Sequence, residues 1–106
     1  MNNITMKSTR DAYGEALIEL NTVYNDLVVV DGDVGSSTRS ASFKKANPKR
    51  YVDVGIAEQD MVLTAAGLAL AGFRVYVSSL ASFLVGRAYD EIRETIAIPG
   101  LPVKLI

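Results

Sequence analysis

The sequence predicts an α/β fold, a three-layer sandwich whose mostly parallel sheet carries helices on both faces. Short apolar runs at residues 27–30, 51–54, 75–77 and 103–106 alternate with stretches of helical periodicity. That order turns into parallel pairing through right-handed crossovers. The run Leu27-Val28-Val29-Val30 is apolar at every position, as in a strand buried on both faces of a parallel sheet.

The first helix is expected from Ser8 to about Tyr24, because Ala12, Ala16, Leu17, Leu20, Val23 and Tyr24 follow helical spacing. Ser8 with Asp11 three residues later resembles a capping box. Asn25-Asp26 breaks the helix before the first strand, and residues 31–38 read as a loop. Residues 41–46 suit a short helix that stops before Asn47-Pro48, since a residue preceding proline is pushed out of helical geometry. Gly55 ends the second strand. Residues 57–71 are so rich in Ala, Leu and Met that this helix is expected to be buried nearly all round, with Gly72 at its C-terminal cap. Ser78 and Ser79 are N-cap candidates for a last helix. One of its faces carries Phe83, Ala88, Tyr89, Ile92 and Ile96, the other Arg87, Asp90, Glu91, Arg93 and Glu94. A fourth strand without a following helix is an odd finish, so the single domain, residues 1–106, is expected to be incomplete at its C-terminus.

A chain of 106 residues buries only about 60 to 68% of the surface its unfolded form exposes, so a partner covering one side would stabilise it. Cysteine and histidine are both absent, which removes thiolate chemistry, the commonest metal ligand and the commonest general base near neutral pH. Eleven basic and twelve acidic residues nearly cancel, and no basic stripe with interleaved aromatics argues for nucleic acid. No apolar run approaches the roughly 20 residues of a membrane span, and the N-terminus lacks a signal-peptide pattern. The expected location is the cytoplasm.

In open α/β sheets ligands gather at the carboxyl ends of the strands. The loops at 31–38, 55–59 and 78–81 meet there. Gly-Ile-Ala-Glu-Gln follows the second strand and sets Glu58 in the first turn of an apolar helix. Position alone leaves open a helix-start acid stabilised by the macrodipole. Met61, Val62 and Leu63 suggest an apolar surrounding, which would move a glutamate from about 4.3 toward 6 or 7 and make it a useful proton carrier.

The stretch from Tyr51 to Met61, Tyr-Val-Asp-Val-Gly-Ile-Ala-Glu-Gln-Asp-Met, followed by Ala65-Ala66-Gly67-Leu68-Ala69, resembles the signature of transketolase pyrimidine domains. The similarity extends to Thr9-Arg10-Asp11-Ala12-Tyr13-Gly14 and to Phe83-Leu84-Val85-Gly86-Arg87-Ala88-Tyr89. It is closest to the C-terminal subunit of split transketolases. The resemblance implies that Glu58 hydrogen-bonds the aminopyrimidine ring of thiamine diphosphate as a proton relay, letting the cofactor's own amine act as base. It puts Phe83 in the position of the aromatic that stacks on the pyrimidine, although position alone would make Phe83 a core residue. By the same resemblance Leu80 stands where many transketolases have a second phenylalanine, Asp33 aligns with an aspartate near the cofactor, and Arg10 and Ser37 align with residues that grip the sugar phosphate. A solvated first-turn arginine and a turn serine are the plainer readings of the last two.

The family's Gly-Asp-Gly diphosphate and metal motif, with its downstream asparagine, has no counterpart here. The resemblance therefore implies an N-terminal transketolase subunit that holds the diphosphate and Mg2+ (or Ca2+), with self-association and with sugar phosphates as substrates. The histidines that polarise the substrate carbonyl lie, in the family, beyond the end of this chain, so alone it is expected to be inactive. The expected function is two-carbon ketol transfer between sugar phosphates in pentose phosphate metabolism. One rival is a hydrolase of the haloacid dehalogenase type, because Val28-Val29-Val30-Asp31-Gly32-Asp33 is an apolar strand followed by Asp-x-Asp. Gly35 stands where that motif wants Thr or Val. A non-catalytic α/β interaction module is another. The related 1-deoxy-xylulose-5-phosphate synthases share Gly-Ile-Ala-Glu-Gln but typically have histidine at the position of Asp60.

Overall fold

The structure, a computed structural model, describes residues 3–106. Its sheet contains β1 (Leu27–Asp31), β2 (Tyr51–Asp53), β3 (Arg74–Ser78) and β4 (Val103–Leu105). All are parallel, in the order β2-β1-β3-β4. The central β1 is buried at all five positions, as its unbroken apolar run requires. Alternation along it supplies two cores. Leu27 and Val29 pack with Leu17 of helix α1 (Thr9–Val23) and Phe43 of α3 (Ala41–Ala46). Val28 and Val30, with in-register Val75 and Val77, pack under Met61, Val62, Ala65 and Ala66 of α4 (Glu58–Leu70) and under Leu84, Ala88 and Ile96. Helices therefore cover both faces, as expected.

Ser8 is the N-cap of α1. Its hydroxyl oxygen accepts from the Asp11 amide at 3.2 Å and its O–H donates to the Asp11 carboxylate at 2.6 Å. The Ser8 hydroxyl, and after it the Arg39 guanidinium, hold the Asp11 carboxyl below its ordinary value. Arg39 also donates to the Ser36 carbonyl at 2.6 Å, binding the first helix to the loop after β1. That approach is close. A Cβ on Gly14 would lie 2.8 Å from the Arg39 Cβ, so α1 needs glycine there.

Several expectations change. The loop at 31–38 contains one helical turn, α2 (Gly35–Thr38). Helix α4 begins at Glu58 and buries a stripe, leaving Leu63 46% and Leu70 75% exposed, so it is not buried all round. Its end is as expected, with Gly72 at φ +97. Ser78 is the last residue of β3, paired with Asp31, and the Ser79 amide donates to the Ile106 carbonyl at 3.3 Å. Neither serine caps a helix. The following helix starts after Ala81 with no side-chain cap. It is also irregular, with π-helical turns at Ser82–Arg87 and Ile92–Ala97 flanking the single α turn α5 (Tyr89–Glu91).

Candidate functional site

Near the carboxyl ends of β1, β2 and β3 lie two cavities with no lining residue in common. Asp31 anchors the first loop. It is fully buried, with one oxygen accepting from the Val34 amide at 2.8 Å and the other from the Ser40 hydroxyl at 2.7 Å. Ser40 lies 3.3 Å from the Tyr51 hydroxyl. Asp31 is completely buried with both oxygens hydrogen-bonded within the chain, which places it out of reach of a phosphate and argues against the dehalogenase-type reading. Asp33 is exposed and adopts the left-handed region at φ 63. Its amide donates to Asp53 Oδ1 at 3.0 Å, and the Gly55 amide, at φ 78, donates to the same oxygen at 2.9 Å.

Arg10, Ser37 and Leu80 line one cavity of about 280 Å3 together with exposed Thr9, half-buried Tyr13 and buried Ser78. The first turn of α1 supplies Arg10 and Tyr13, and the end of β3 supplies Ser78. The Tyr13 hydroxyl and Ser78 Oγ are buried without a hydrogen-bond partner. Burial pushes the Tyr13 phenol up to about 12, and the nearby Ser78 hydroxyl opposes this only in part. The cavity thus has the exposed Arg10 cation at its mouth, while the Tyr13 and Ser78 hydroxyl oxygens are buried behind a largely apolar wall.

Glu58 lines the other cavity, about 460 Å3, with Ile56, Asp60, Leu63 and Arg87. As the first residue of α4 it sits where free N–H groups and the helix dipole favour a carboxylate, yet it is only 6% exposed. The expected apolar surrounding is incomplete, because Arg87 Nη1 donates to Glu58 Oε1 at 3.0 Å. The same guanidinium lies over the Phe83 ring, 4.2 Å from its centroid. Phe83 is half-buried, so one aromatic face and one carboxylate converge on Arg87. Gln59 Nε2 donates to Glu91 at 2.9 Å and ties α4 to α5.

The sequence-predicted residues thus separate into groups. Glu58 and Phe83 come together through Arg87, Arg10, Ser37 and Leu80 share the other cavity, and Asp33 lines neither cavity. Sequence reasoning missed Tyr13 and Ser78 as cavity walls, Asp53 as the tie between loops, and Arg87 as the partner of both Glu58 and Phe83. Arg87 had one visible signal, its position four residues after Phe83 on the same helix.

A parallel α/β sheet with a buried helix-start carboxylate at its carboxyl end defines a ligand-binding domain of the doubly wound class. The family described as the transketolase pyrimidine-binding domain matches residues 5–106, and the chain belongs to that family. It is 47% identical over 100 residues to a putative transketolase C-terminal section of Methanocaldococcus jannaschii, covering 94% of this chain and 32% of that protein. To human transketolase it is 42% identical over 87 residues, 81% of this chain and 14% of that one. A 1-deoxy-D-xylulose-5-phosphate synthase of Lachnoclostridium phytofermentans is 42% identical over 96 residues, covering 91% of this chain and 15% of the synthase. A solved split-gene transketolase, described as an inactive β4 tetramer, superposes with a TM-score of 0.83 at 44% identity, over 92% of this chain and 32% of its own. The chain spans about a third of the split-gene relatives and about a seventh of the others. Among the described residues no helix is long and apolar enough to cross a membrane.

Proposed function

We propose that this chain binds the aminopyrimidine of thiamine diphosphate at an interface with a partner chain, for two-carbon ketol transfer between sugar phosphates. The observation that carries the reading is the pairing of a nearly buried carboxylate, Glu58, with a half-buried aromatic face, Phe83, at the ligand-bearing end of the sheet. An aminopyrimidine needs both, a proton-sharing group in its plane and a surface to stack on. The residues present therefore fit the ring.

Glu58 would hold a proton against the ring nitrogen, where the N-terminus of α4 supports its charged form and burial keeps water from competing. Phe83 would orient the ring, a stacking contact worth roughly 0.5 to 1.5 kcal/mol beyond area burial. Leu80 would extend the apolar wall toward the second cavity, and Asp33 would border the cofactor from the loop. Arg10 and Ser37 would bind the sugar phosphate, Arg10 through its planar fork of donors. Bound thiamine diphosphate supplies the carbon nucleophile for ketol transfer. Among the described residues no group of three or more acidic, histidine or cysteine side chains could hold a metal. The reading assigns the diphosphate and Mg2+ (or Ca2+) to a partner resembling an N-terminal transketolase subunit.

The test is reconstitution of the full chain with that partner, thiamine diphosphate and magnesium. Glu58→Gln should lower turnover by about 10²-fold or more while the assembly still forms. Undiminished turnover in the variant would remove the proton-relay role. The match to deoxyxylulose phosphate synthases sustains a second reading. Formation of 1-deoxy-D-xylulose 5-phosphate in place of ketol transfer would establish it.

A further inference from the structure

We propose that Arg87 is a placeholder for the cofactor ring: its guanidinium occupies both contacts the pyrimidine must take, and the ring enters by displacing it. The proposal rests on the cofactor reading above and adds a residue that the reading does not use. The guanidinium is a flat, nitrogen-rich group that donates to Glu58 Oε1 at 3.0 Å while stacking 4.2 Å from the Phe83 centroid. An aminopyrimidine is also flat and nitrogen-rich, and would meet the same oxygen and the same face. Both cannot be there at once.

The two partners of this ion pair are unequal. Glu58 has 6% of its side chain exposed and Arg87 has 55%. Stripping Glu58 of its partner would strand a buried carboxylate, which is costly, whereas returning Arg87 to water costs little. An exchange of partners avoids the stranded state. Arg87 can leave without unfolding its helix because its long aliphatic stem reaches solvent from the end of the π-helical turn Ser82–Arg87. Asp60 lines the same cavity and gives the released guanidinium a second carboxylate to face. Arg87 is thus a positioning residue that keeps Glu58 oriented and paired until the ring arrives.

The experiment is calorimetric titration of thiamine diphosphate, with magnesium, into the full chain assembled with its partner. Arg87→Met keeps an apolar stem over Phe83 and removes the competing donor. It should tighten binding three- to tenfold, and the gain should shrink to less than twofold in a Glu58→Gln background. Unchanged or weaker binding in Arg87→Met would overturn the placeholder role, as would an equal gain in both backgrounds. If Arg87→Met does not assemble, Arg87→Lys serves instead. Its compact ammonium cannot both bond Glu58 and cover the ring, so binding should again tighten, and unchanged or weaker binding counts against the proposal. A wild-type assembly that takes up no cofactor overturns the parent reading and the placeholder with it. Normal wild-type uptake with no gain in the variants overturns the placeholder alone.

Discussion

The two cavities at the carboxyl end of the sheet satisfy their polar groups in opposite ways. Beside Glu58 the buried charge is already paired, with Arg87 supplied by the chain itself. Beneath Arg10 the buried groups are neutral hydroxyls, Tyr13 and Ser78, and they have no partner. The difference follows from what each group costs when left alone. An unpaired buried hydroxyl costs roughly 1 to 3 kcal/mol, which a folded domain can carry, whereas an unpaired buried carboxylate costs more and has to be answered within the chain. One cavity therefore keeps unpaired hydroxyls in its wall, and the other answers its buried charge with a side chain of the same chain.

Breaking the open cavity should give the larger effect on substrate. Arg10→Ala should raise the Michaelis constant for phosphorylated donors in the assembled enzyme by about 10- to 100-fold, the worth of a charge-assisted hydrogen bond. An equal rise with unphosphorylated sugars would place Arg10 elsewhere. On the Glu58 side, Phe83→Ala should weaken cofactor binding by about two- to tenfold, corresponding to the stacking contribution. If titration shows no such loss while thermal stability falls, Phe83 belongs to the core.

The smallest effect sharpens the contrast in stability. Tyr13 is favoured in its neutral form, since burial raises its phenol from 10.0 to about 12, and burial raises Tyr51 similarly. A raised folded value means that the stability is fully present below pH 10 and is lost as pH climbs toward 12. Tyr13→Phe removes one of these groups. Its melting temperature should fall less between pH 10 and 12 than that of the wild type, by the equivalent of about 2 kcal/mol at the upper end. At neutral pH the variant should be as stable or slightly more so, because an orphaned hydroxyl is lost. A parallel fall in both proteins would show that Tyr13 is not protected by burial.

Residues whose role is local were legible in the sequence. Burial on both sides wrote itself into β1 as an unbroken apolar run, and Ser8 with Asp11 marked a helix start that the hydrogen bonds reproduce. Glu58 stood out because a glycine and an apolar helix bracket it. What was not legible depends on tertiary register. Ser78 satisfies the pattern of a helix cap as well as that of a strand end, and its pairing opposite Asp31 decides between them. The π turns escape a 3.6-residue period by construction. Leu63 and Leu70 look like core by composition, yet the helix turns them outward. Arg87 reads as part of a solvated polar face because its partner is 29 residues away.

One oxygen of Asp53 accepts from the amides of both Asp33 and Gly55. The left-handed turns at those two residues are therefore stapled at a single point, and neither can straighten without surrendering the bond it shares an acceptor with. The loop after β1 and the loop that leads to Glu58 are thus tied together through the one side chain of Asp53.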